Sequence, residues 1–394
     1  MKRRDFLIST GLIAAFSSVP FVRRLLPPRP LIIPDAYSLW YNRPAAVDIC
    51  GGFCFGYITA RGCLVVVEVT DDLLVRRSNV IYRYDSSSDH GSPALVKIPE
   101  GKHKGKILAC FSKHASPLMT MRTSGPGDIG VWEAPSVLDS GRSTYASVAA
   151  LPGGRIVLMH TIQERIGNSD AGEWRRTVVR WTEDGGDSWS DPVQIVGLGA
   201  GTFPYSTPLA SSSGGRCAMA YAIYRSATKR HQGLYIVITS DSFRSWVEIP
   251  IELGEGSAQD TIPYETKWLG NGMVAVSFSQ MMDSTRSVNK VAFVNVESQT
   301  VSSIVTLSDS AVHSYAGGAS IDSRGEFVIS SPPGGGLVKR DISLGSTKIL
   351  IEKGSFSSPW IFMSNGRSML AALKNPSIES TRRFSADLYI AQLG

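Results

Sequence analysis

Two histidines, His90 and His114, stand at corresponding places in the stretch Asp85–Trp132, each at the edge of an apolar run typical of a β-strand. Residues 94–96 (Ala-Leu-Val) follow the first histidine, and residues 107–111 (Ile-Leu-Ala-Cys-Phe) precede the second. Antiparallel pairing of the two runs would bring both imidazoles to the same end of a sheet. Histidine titrates near neutral pH, so this end is a candidate site for proton transfer.

The elements that must position these histidines are short strands. Apolar and β-branched runs recur from about residue 53 to residue 391, separated by Gly, Asp, Ser and Lys clusters, and no long segment has a clear helical period. Such regular repetition predicts an all-β fold, and radial repetition of small sheets keeps exposed edges short. We therefore predict a single β-propeller domain over residues 31–394.

Two segments share a turn pattern that supports this fold. Thr182–Trp189 reads T-E-D-G-G-D-S-W and follows S/T-x-D-x-G-x-S/T-W, and Thr239–Trp246 is a degenerate copy. In a hairpin of this kind, Asp accepts backbone N–H bonds, glycine permits positive φ, and Trp packs on the sheet. The pattern resembles the Asp-box of sialidase-type β-propellers, which occurs in enzymes and binding proteins alike. It therefore indicates fold and not function.

Three further stretches are more specific: residues 40–45 (W-Y-N-R-P-A), residues 89–95 (D-H-G-S-P-A-L) and residues 111–114 (F-S-K-H). They resemble one branch of these propellers, the BNR-4 repeat family, which includes the ulvan lyases and related polysaccharide lyases. The likeness covers mainly the first half of the mature chain. It implies a seven-bladed propeller, with a six-bladed sialidase-like ring as the alternative.

The resemblance also implies site residues. In the lyases of this group the first histidine is a catalytic base or acid and the second lines the same site, which corresponds to His90 and His114 here. Tyr145 is the counterpart of a catalytic tyrosine, and Tyr205 is similar to a further site residue.

The family's arginine has no direct counterpart. Where it is expected, the chain reads Met-His-Thr at residues 159–161, and the arginines that follow are Arg165, Arg175 and Arg176. His160 could partly replace it. The group that would neutralise an anionic substrate is therefore not assigned by sequence.

A uronate lyase needs a base for the proton α to the sugar carboxylate, an acid for the 4-linked oxygen, and a cation on the carboxylate. We predict His90 as the base and Tyr145 as the acid. His114 would act with Arg165 or Arg225 around the carboxylate. Loop residue His231, which follows Arg225 in a basic segment, could hold a sulfate or carboxylate group. The predicted function is thus β-elimination of uronic-acid-containing polysaccharides, sulfated ones included.

Two alternatives remain open. A sialidase needs three arginines around a carboxylate, and the place of the first one reads His-Gly-Ser-Pro at residues 90–93, which argues against it. A non-catalytic glycan-binding propeller would keep the scaffold without the arginine. Release of an unsaturated, ultraviolet-absorbing product separates a lyase from a binding module.

Composition limits the partners. The 394 residues are 43% hydrophobic and 19% charged, and 40 Lys and Arg against 34 Asp and Glu leave a mildly basic chain without a basic run for nucleic acid. Five cysteines show no metal-binding spacing, and we predict no required cofactor. One disulfide among Cys50, Cys54 and Cys63 and their burial as small apolar side chains both stay open. A structural calcium or zinc ion is left open, as is the oligomeric state. The expected partner is an acidic polysaccharide or oligosaccharide.

The first 30 residues predict export. Lys-Arg-Arg-Asp-Phe-Leu at residues 2–7, followed by a short and weakly apolar run to Phe16, is typical of a twin-arginine signal, and residues 26–30 form a proline-rich tether. The apolar run is shorter than the ~20 residues that span a bilayer, so no stable membrane span is expected after export. The predicted location is periplasmic or secreted.

Overall fold

Short antiparallel strands build the part of the chain that the computed structural model describes, and no α-helix occurs there. The described residues are 29–165, 172–253, 260–283, 286–308, 311–314, 317–380 and 383–394. The predicted twin-arginine signal lies outside them, and the division of the chain at residue 30 stays a prediction. Within the described residues, no helix is both long and apolar enough to cross a membrane.

The strands are β1 (Leu31–Ile33), β2 (Ala46–Ile49), β3 (Gly52–Ile58), β4 (Cys63–Thr70), β5 (Val75–Arg83), β6 (Ala94–Lys97), β7 (Ile107–Phe111), β8 (Ser116–Arg122), β9 (Ser136–Ala150), β10 (Ile156–Arg165), β11 (Glu173–Thr182), β12 (Val193–Gly197), β13 (Thr202–Ser206), β14 (Ala210–Ser211), β15 (Cys217–Arg225), β16 (Arg230–Thr239), β17 (Val247–Pro250), β18 (Thr261–Gly270), β19 (Met273–Met281), β20 (Ser287–Asn295), β21 (Thr300–Thr306), β22 (Ala319–Ile321), β23 (Phe327–Ser330), β24 (Leu337–Asp341), β25 (Thr347–Ile351), β26 (Phe356–Ser364), β27 (Arg367–Ser380) and β28 (Arg383–Gln392).

These strands form six sheets among the described residues, and the sheets follow one another in a ring. Contacts between strands of neighbouring sheets join each sheet to the next: β2 touches β6, β11 touches β13, β15 touches β18, β18 touches β22, and β26 touches both β22 and β2. Each sheet buries apolar side chains against its neighbours, so the core is a series of clusters between sheets. The predicted β-propeller is therefore confirmed.

The number of blades stays a prediction because one sheet is larger than the others. Strands β6 to β12 form a single seven-stranded sheet, in which the 15-residue β9 pairs with β8 through its first half and with β10 through its second half. If β9 contributes to two blades, the ring has seven four-stranded units. The expected pairing of residues 94–96 with the run at 107–111 is present, since Ala94 is in register with Cys110 and Val96 with Leu108.

The ring closes through the first described strand. β1 pairs antiparallel with β28, with Leu31 opposite Ile390 and Ile33 opposite Leu388. Ile33 is buried with both residues of the C-terminal strand in one core cluster. Strands from the two ends of the described chain therefore hold one sheet together.

The segment after β1 fills part of the central channel. Residues 36–42 are buried although they lie outside the long strands, and Tyr37, Trp40 and Tyr41 share an aromatic cluster with Tyr145 and Tyr264. Backbone bonds in both directions between Tyr37 and Ile58 fix the segment to β3. This channel segment lies directly behind the candidate site.

The turn at Thr182–Trp189 has the hydrogen bonds that its pattern predicts. Asp184 accepts the backbone N–H groups of Asp187 and Ser188, both at 3.0 Å, and the hydroxyls of Thr182 and Ser188 also donate to it. Burial alone would raise the pKa of Asp184, but these hydrogen bonds outweigh it and lower the pKa to about 2. The strand register places this turn at the end of the sheet that lies away from Tyr145, which agrees with a structural role.

Closure of the ring predicts unequal effects of two neighbouring substitutions. Ile33→Ala should lower the free energy of unfolding by about 2–5 kcal/mol, because Ile33 is 7% exposed and packs across the closing pair of strands. Ile32→Ala is the matched control, since Ile32 is 44% exposed and should cost less than about 1 kcal/mol. Urea unfolding measures both values. Equal losses would contradict the importance of β1 for closure.

Candidate functional site

His90 lies in the loop between β5 and β6 and is held by a buried carboxylate. Asp89, fully buried, bonds to Nδ1 of His90, and the ring of Tyr41 stacks on the imidazole with 4.9 Å between centroids. In the neutral tautomer that donates Nδ1–H to Asp89, Nε2 is the acceptor. Nε2 faces the hydroxyl of Tyr145 at 3.3 Å. Asp89 and Tyr41 therefore orient His90 toward Tyr145.

Tyr145 reaches this position through an irregularity in β9. Its φ is +58°, in the left-handed region that non-glycine residues rarely adopt. The register with β10 shifts there, because Met159 is opposite Ser147 whereas Thr161 is opposite Thr144. Such a bulge re-aims a side chain, and backbone strain of this kind costs about 1–3 kcal/mol. Strain at a residue that faces His90 is a sign of function.

The tyrosine hydroxyl is held in its protonated form. Burial raises the pKa of Tyr145 well above its ordinary value, and Tyr205 raises it further, while Arg175 opposes the increase. The ring contacts Tyr41, His90 and Tyr205 with centroid distances of 4.6, 5.1 and 6.0 Å. At neutral pH this group is thus a protonated hydroxyl that can donate a hydrogen bond.

His114 lies beside His90, in the turn between β7 and β8. The ring centroids are 5.0 Å apart, and the hydroxyl of Ser88 accepts the backbone N–H of both histidines at 3.3 Å. Burial lowers the pKa of His114 to about 3, and the nearby His90, Arg175 and Arg142 contribute. His114 is therefore neutral near pH 7 and can act as a hydrogen-bonding group.

Arg175, on β11, is the cation that the structure brings to this group. It is 7% exposed, pairs with Glu173, and its guanidinium lies 4.4 Å from the ring centre of Phe203 and 6.0 Å from that of Tyr205. Burial alone would lower the pKa of Arg175, but Tyr205, Tyr145 and Glu173 outweigh it and raise the pKa. The arginine carries its charge next to both tyrosines.

The guanidinium of Arg175 is not fully hydrogen-bonded among the described residues. Nη1 of Arg175 and both amide atoms of Gln163 are buried without a hydrogen-bond partner among the described residues. Arg142, Gln163 and Arg175 are in register across β9, β10 and β11, so they form a row on one face of the sheet. Buried polar groups in proteins are normally paired. The row is therefore suited to an anionic, hydrogen-bonding ligand.

Tyr205 and His231 form the adjoining part of the site. Tyr205 on β13 meets the ring of His231 edge to face at 4.8 Å, and Tyr224 lies 5.0 Å from the same imidazole. His231 is the second residue of β16 rather than part of a free loop, and Asp260 accepts from both its Nδ1 and its backbone N–H. Aromatic faces beside polar groups suit the packing of a sugar ring.

The other arginines lie further out. Arg165 ends β10 opposite Glu173, two residues beyond Gln163 on the same face, and is exposed. Arg225 ends β15, is exposed, and donates to Gln232 at 2.7 Å. Arg176 pairs with Glu164 on the opposite face of β11. Of the arginines considered from the sequence, Arg175 is the one that the structure places against the tyrosines.

His160 does not supply a positive charge to this site. It is fully buried opposite the bulge, and its Nδ1 lies 3.3 Å from the hydroxyl of Ser143. Burial lowers the pKa of His160 to about 3, and Arg180 contributes. A neutral imidazole cannot neutralise a carboxylate, so the expectation that it could partly replace the arginine lacks support.

Three groups that the structure shows at the site have no role predicted from the sequence: Asp89, Tyr41 and Asp260. The Asp-His doublet at residues 89–90 is the one local signal for such a role. A metal centre has no candidate here, because no group of three or more His, Cys, Asp or Glu among the described residues could hold an ion. The five cysteines are free thiols in the structure.

Several solved structures resemble the chain at low identity. An ulvan lyase of polysaccharide lyase family PL25 matches with a TM-score of 0.68 at 11% identity, over 92% of this chain and 96% of the other, and it has also been solved bound to -[GlcA(1-4)Rha3S]-. Polysaccharide lyase Uly1 matches with a TM-score of 0.59 at 10% identity, over 93% and 100%. The lectin BP39L from Burkholderia pseudomallei matches with a TM-score of 0.61 at 14% identity, over 90% and 96%.

These likenesses concern the fold. Lyases and a lectin share it with this chain, and at such identities the shared architecture carries no assignment of activity. No family model matches the sequence. No curated protein matches it either.

The environment of His114 predicts how it titrates. Its Cε1–H resonance should stay constant from about pH 8 to pH 4.5, because its pKa is about 3. Folding lowers this pKa from about 6.5, so the contribution of His114 to stability is complete above about pH 6.5 and decreases as the pH falls. Arg175→Gln should raise the pKa of His114 by removing one of the charges that lower it. NMR titration measures both.

Arg176→Gln is the matched control for this titration. Arg176 is the next residue on β11, and it pairs with Glu164 away from the site. This variant should leave the titration of His114 unchanged. An equal shift in both variants would show that Arg175 acts through the general charge of the protein and not through proximity.

Proposed function

We propose that this protein is a polysaccharide lyase that cleaves uronic-acid-containing polysaccharides, sulfated ones included, by β-elimination. The observation that carries the proposal is the pairing of an oriented His90 with a protonated Tyr145 beside Arg175. An elimination needs a base, an acid and a cation, and these three groups supply one each.

The sugar carboxylate would bind to the row formed by Arg142, Gln163 and Arg175. Nη1 of Arg175 can donate to one carboxylate oxygen and the amide of Gln163 to the other, which would give both buried side chains a partner. Negative charge grows on the carboxylate as the α proton leaves. A desolvated guanidinium stabilises that charge more than it stabilises the bound substrate, which lowers the barrier.

Proton transfer would involve the two groups on either side of the 3.3 Å contact. Nε2 of His90 takes the proton at C5, the electron pair forms the C4–C5 double bond, and the C4–O bond breaks. The hydroxyl of Tyr145 gives its proton to the departing oxygen. Asp89 stabilises the resulting imidazolium through Nδ1, as a buried carboxylate does in other His-based sites.

Neighbouring sugars would lie along the aromatic rings on the far side of Tyr145. Tyr205, Tyr224 and His231 offer ring faces there, and the exposed Arg165 and Arg225 lie at the strand ends beyond them. Sulfate or further carboxylate groups of a polymer would meet these outer cations. The oligosaccharide bound in the solved ulvan lyase structure contains both a uronate and a sulfated sugar.

A glycan-binding module without activity is the second candidate. The similarity in fold to a lectin favours it, as does the near-continuous run of aromatic rings from Tyr41 to Tyr224. The same residues would then bind the polymer without proton transfer. Binding of ulvan without any ultraviolet-absorbing product would support this reading over the lyase.

Three substitutions test the lyase. His90→Ala and Tyr145→Phe should each lower the rate of unsaturated-sugar release from ulvan about 10²–10⁴-fold, the usual contribution of a general base or acid. Arg175→Gln should raise KM and lower kcat, because its charge acts on the bound and the reacting carboxylate. Ultraviolet absorbance of the unsaturated product gives the rates.

Arg176→Gln serves as the control in this assay as well, and its rate should equal that of the wild type. Unfolding curves of all variants exclude a general loss of structure. Undiminished product release by the His90→Ala variant would refute the assignment of the base, and wild-type activity of the Arg175→Gln variant would refute the assignment of the cation.

We also propose that the protein is exported by the twin-arginine route and acts in the periplasm or outside the cell. The Lys-Arg-Arg-Asp-Phe-Leu segment at residues 2–7 supports this. Replacing both Arg3 and Arg4 by Lys should keep the protein in the cytoplasm, and cell fractionation with antibody detection measures its location. Unchanged export of this double variant would contradict the proposal.

A further inference from the structure

A cavity lies in the central channel, behind the aromatic channel segment. It has a volume of about 340 Å³ and is lined by inner strands of several sheets, among them β2, β9, β18 and β26. On β9 its lining residues are Val148, Ala149 and Ala150, which follow Tyr145 toward the opposite end of the sheet. We call it the channel cavity. It is separate from the His90 site and open to a different ligand.

The channel segment divides the two spaces. Tyr41 stacks on His90 on one side, and Trp40 lines the channel cavity on the other. The Trp40 ring contacts both Tyr41 and Tyr264, at 5.1 and 6.0 Å between centroids. Two aromatic residues that are adjacent in sequence thus form the wall between the candidate site and the channel cavity.

Arg43 lines the channel cavity with an incompletely paired guanidinium. It is 5% exposed, its Nη1 donates to the hydroxyl of Ser38 at 3.1 Å, and its Nε has no hydrogen-bond partner among the described residues. The guanidinium lies 4.4 Å from the ring centre of Trp360, whose ring also stacks with Phe362. This packing fixes the arginine in place, and a buried N–H without a partner is costly unless a ligand or water accepts it.

Glu265 is the carboxylate whose charge acts on Arg43, and its oxygens already have hydrogen-bond partners. Glu265 accepts from Lys267 at 2.9 Å, from the hydroxyl of Ser320 at 2.9 Å and from the backbone N–H of Ile321 at 2.8 Å. Burial lowers the pKa of Arg43 to about 9, against the opposing effect of Glu265. The charged lining residues are Arg43, Lys267 and Glu265, so the channel cavity has one positive charge in excess. An anion would balance it.

The rest of the lining is mainly apolar. Besides Trp40 and Trp268 it includes Val47, Leu95, Val148, Leu209 and Met363. Trp268 is fixed by a hydrogen bond from its indole N–H to the carbonyl of Ala210 at 3.2 Å. A sugar rich in hydroxyl groups would leave many of them unpaired against such walls, whereas an apolar ring would not. The shape and the chemistry therefore favour an apolar ring with one acidic group.

We propose that the channel cavity binds a small carboxylate with an apolar ring, its carboxylate on Arg43 and its ring between the apolar walls. The volume lies within the range of small-molecule sites in proteins, about 300–1,000 Å³. Access is from the face opposite His90, where the exposed Ser211 and Met363 line the cavity. This site does not depend on the lyase proposal.

Benzoate is the probe for a test on the full chain, with benzyl alcohol as its uncharged counterpart. Ligand-observed NMR titration should show saturable binding of benzoate and weaker binding of the alcohol. Arg43→Gln should weaken benzoate binding about ten-fold or more, the usual effect of losing a charged hydrogen bond. Arg175→Gln should leave it unchanged, because Arg175 belongs to the other site.

Ser211→Trp gives a second variant that does not disturb the buried arginine. Ser211 is exposed at the cavity mouth, so a large side chain there should block entry and reduce binding about ten-fold or more. Ser213→Trp is the matched control, since Ser213 is also exposed but does not line the channel cavity, and it should bind as the wild type does. Thermal unfolding shows whether each variant is folded.

Three outcomes would overturn the proposal. They are the absence of saturable benzoate binding, binding that Ser211→Trp leaves unchanged, and binding that Arg175→Gln removes while Arg43→Gln, if folded, retains it. The last outcome would place the ligand at the His90 site. Failure of the lyase assay has no bearing on any of them.

Discussion

The pairing of β1 with β28 is the constraint on which the arrangement depends, because a ring of sheets is stable only when its two ends are joined. Closure fixes Leu31–Ile33 at the rim of the last sheet, and from there the chain must enter the central channel. Residues 36–42 fill that channel with aromatic side chains. Tyr41 thereby comes to lie against the imidazole of His90. The pairing that closes the ring therefore also positions the residue that packs behind His90 in the candidate site.

Within the site, two buried carboxylates organise the groups that could react. Asp89 is fully buried against His90, and Glu173 is 4% exposed against Arg175. A buried carboxylate is tolerated only when it is paired, so each one holds its partner in a single orientation. Neither pairing uses the partner fully: Nε2 of His90 still faces Tyr145, and Nη1 of Arg175 is without a partner among the described residues. Arg175 thus combines a fixed orientation with a donor that has no partner among the described residues.

Much of this could be predicted from local sequence. The apolar runs at residues 94–96 and 107–111 pair as their patterns indicate, and their pairing brings His90 within 5.0 Å of His114. The position of Arg175 could not be predicted, since it depends on packing between β11 and β13, which no local pattern encodes. The conformation of Tyr145 was equally hidden, because a positive φ is usually marked by glycine and here occurs at an aromatic residue. Long-range packing and backbone strain therefore account for what the sequence left open.

The seven-stranded sheet has a mechanical consequence. His90 and His114 flank β6 and β7, while Tyr145 and Arg175 lie on β9 and β11 of the same hydrogen-bonded sheet. Groups on strands of one hydrogen-bonded sheet cannot separate by hinge motion between domains. Their mutual distances are therefore held by the sheet itself. A ligand at this site would therefore meet groups whose relative positions are already set by one sheet.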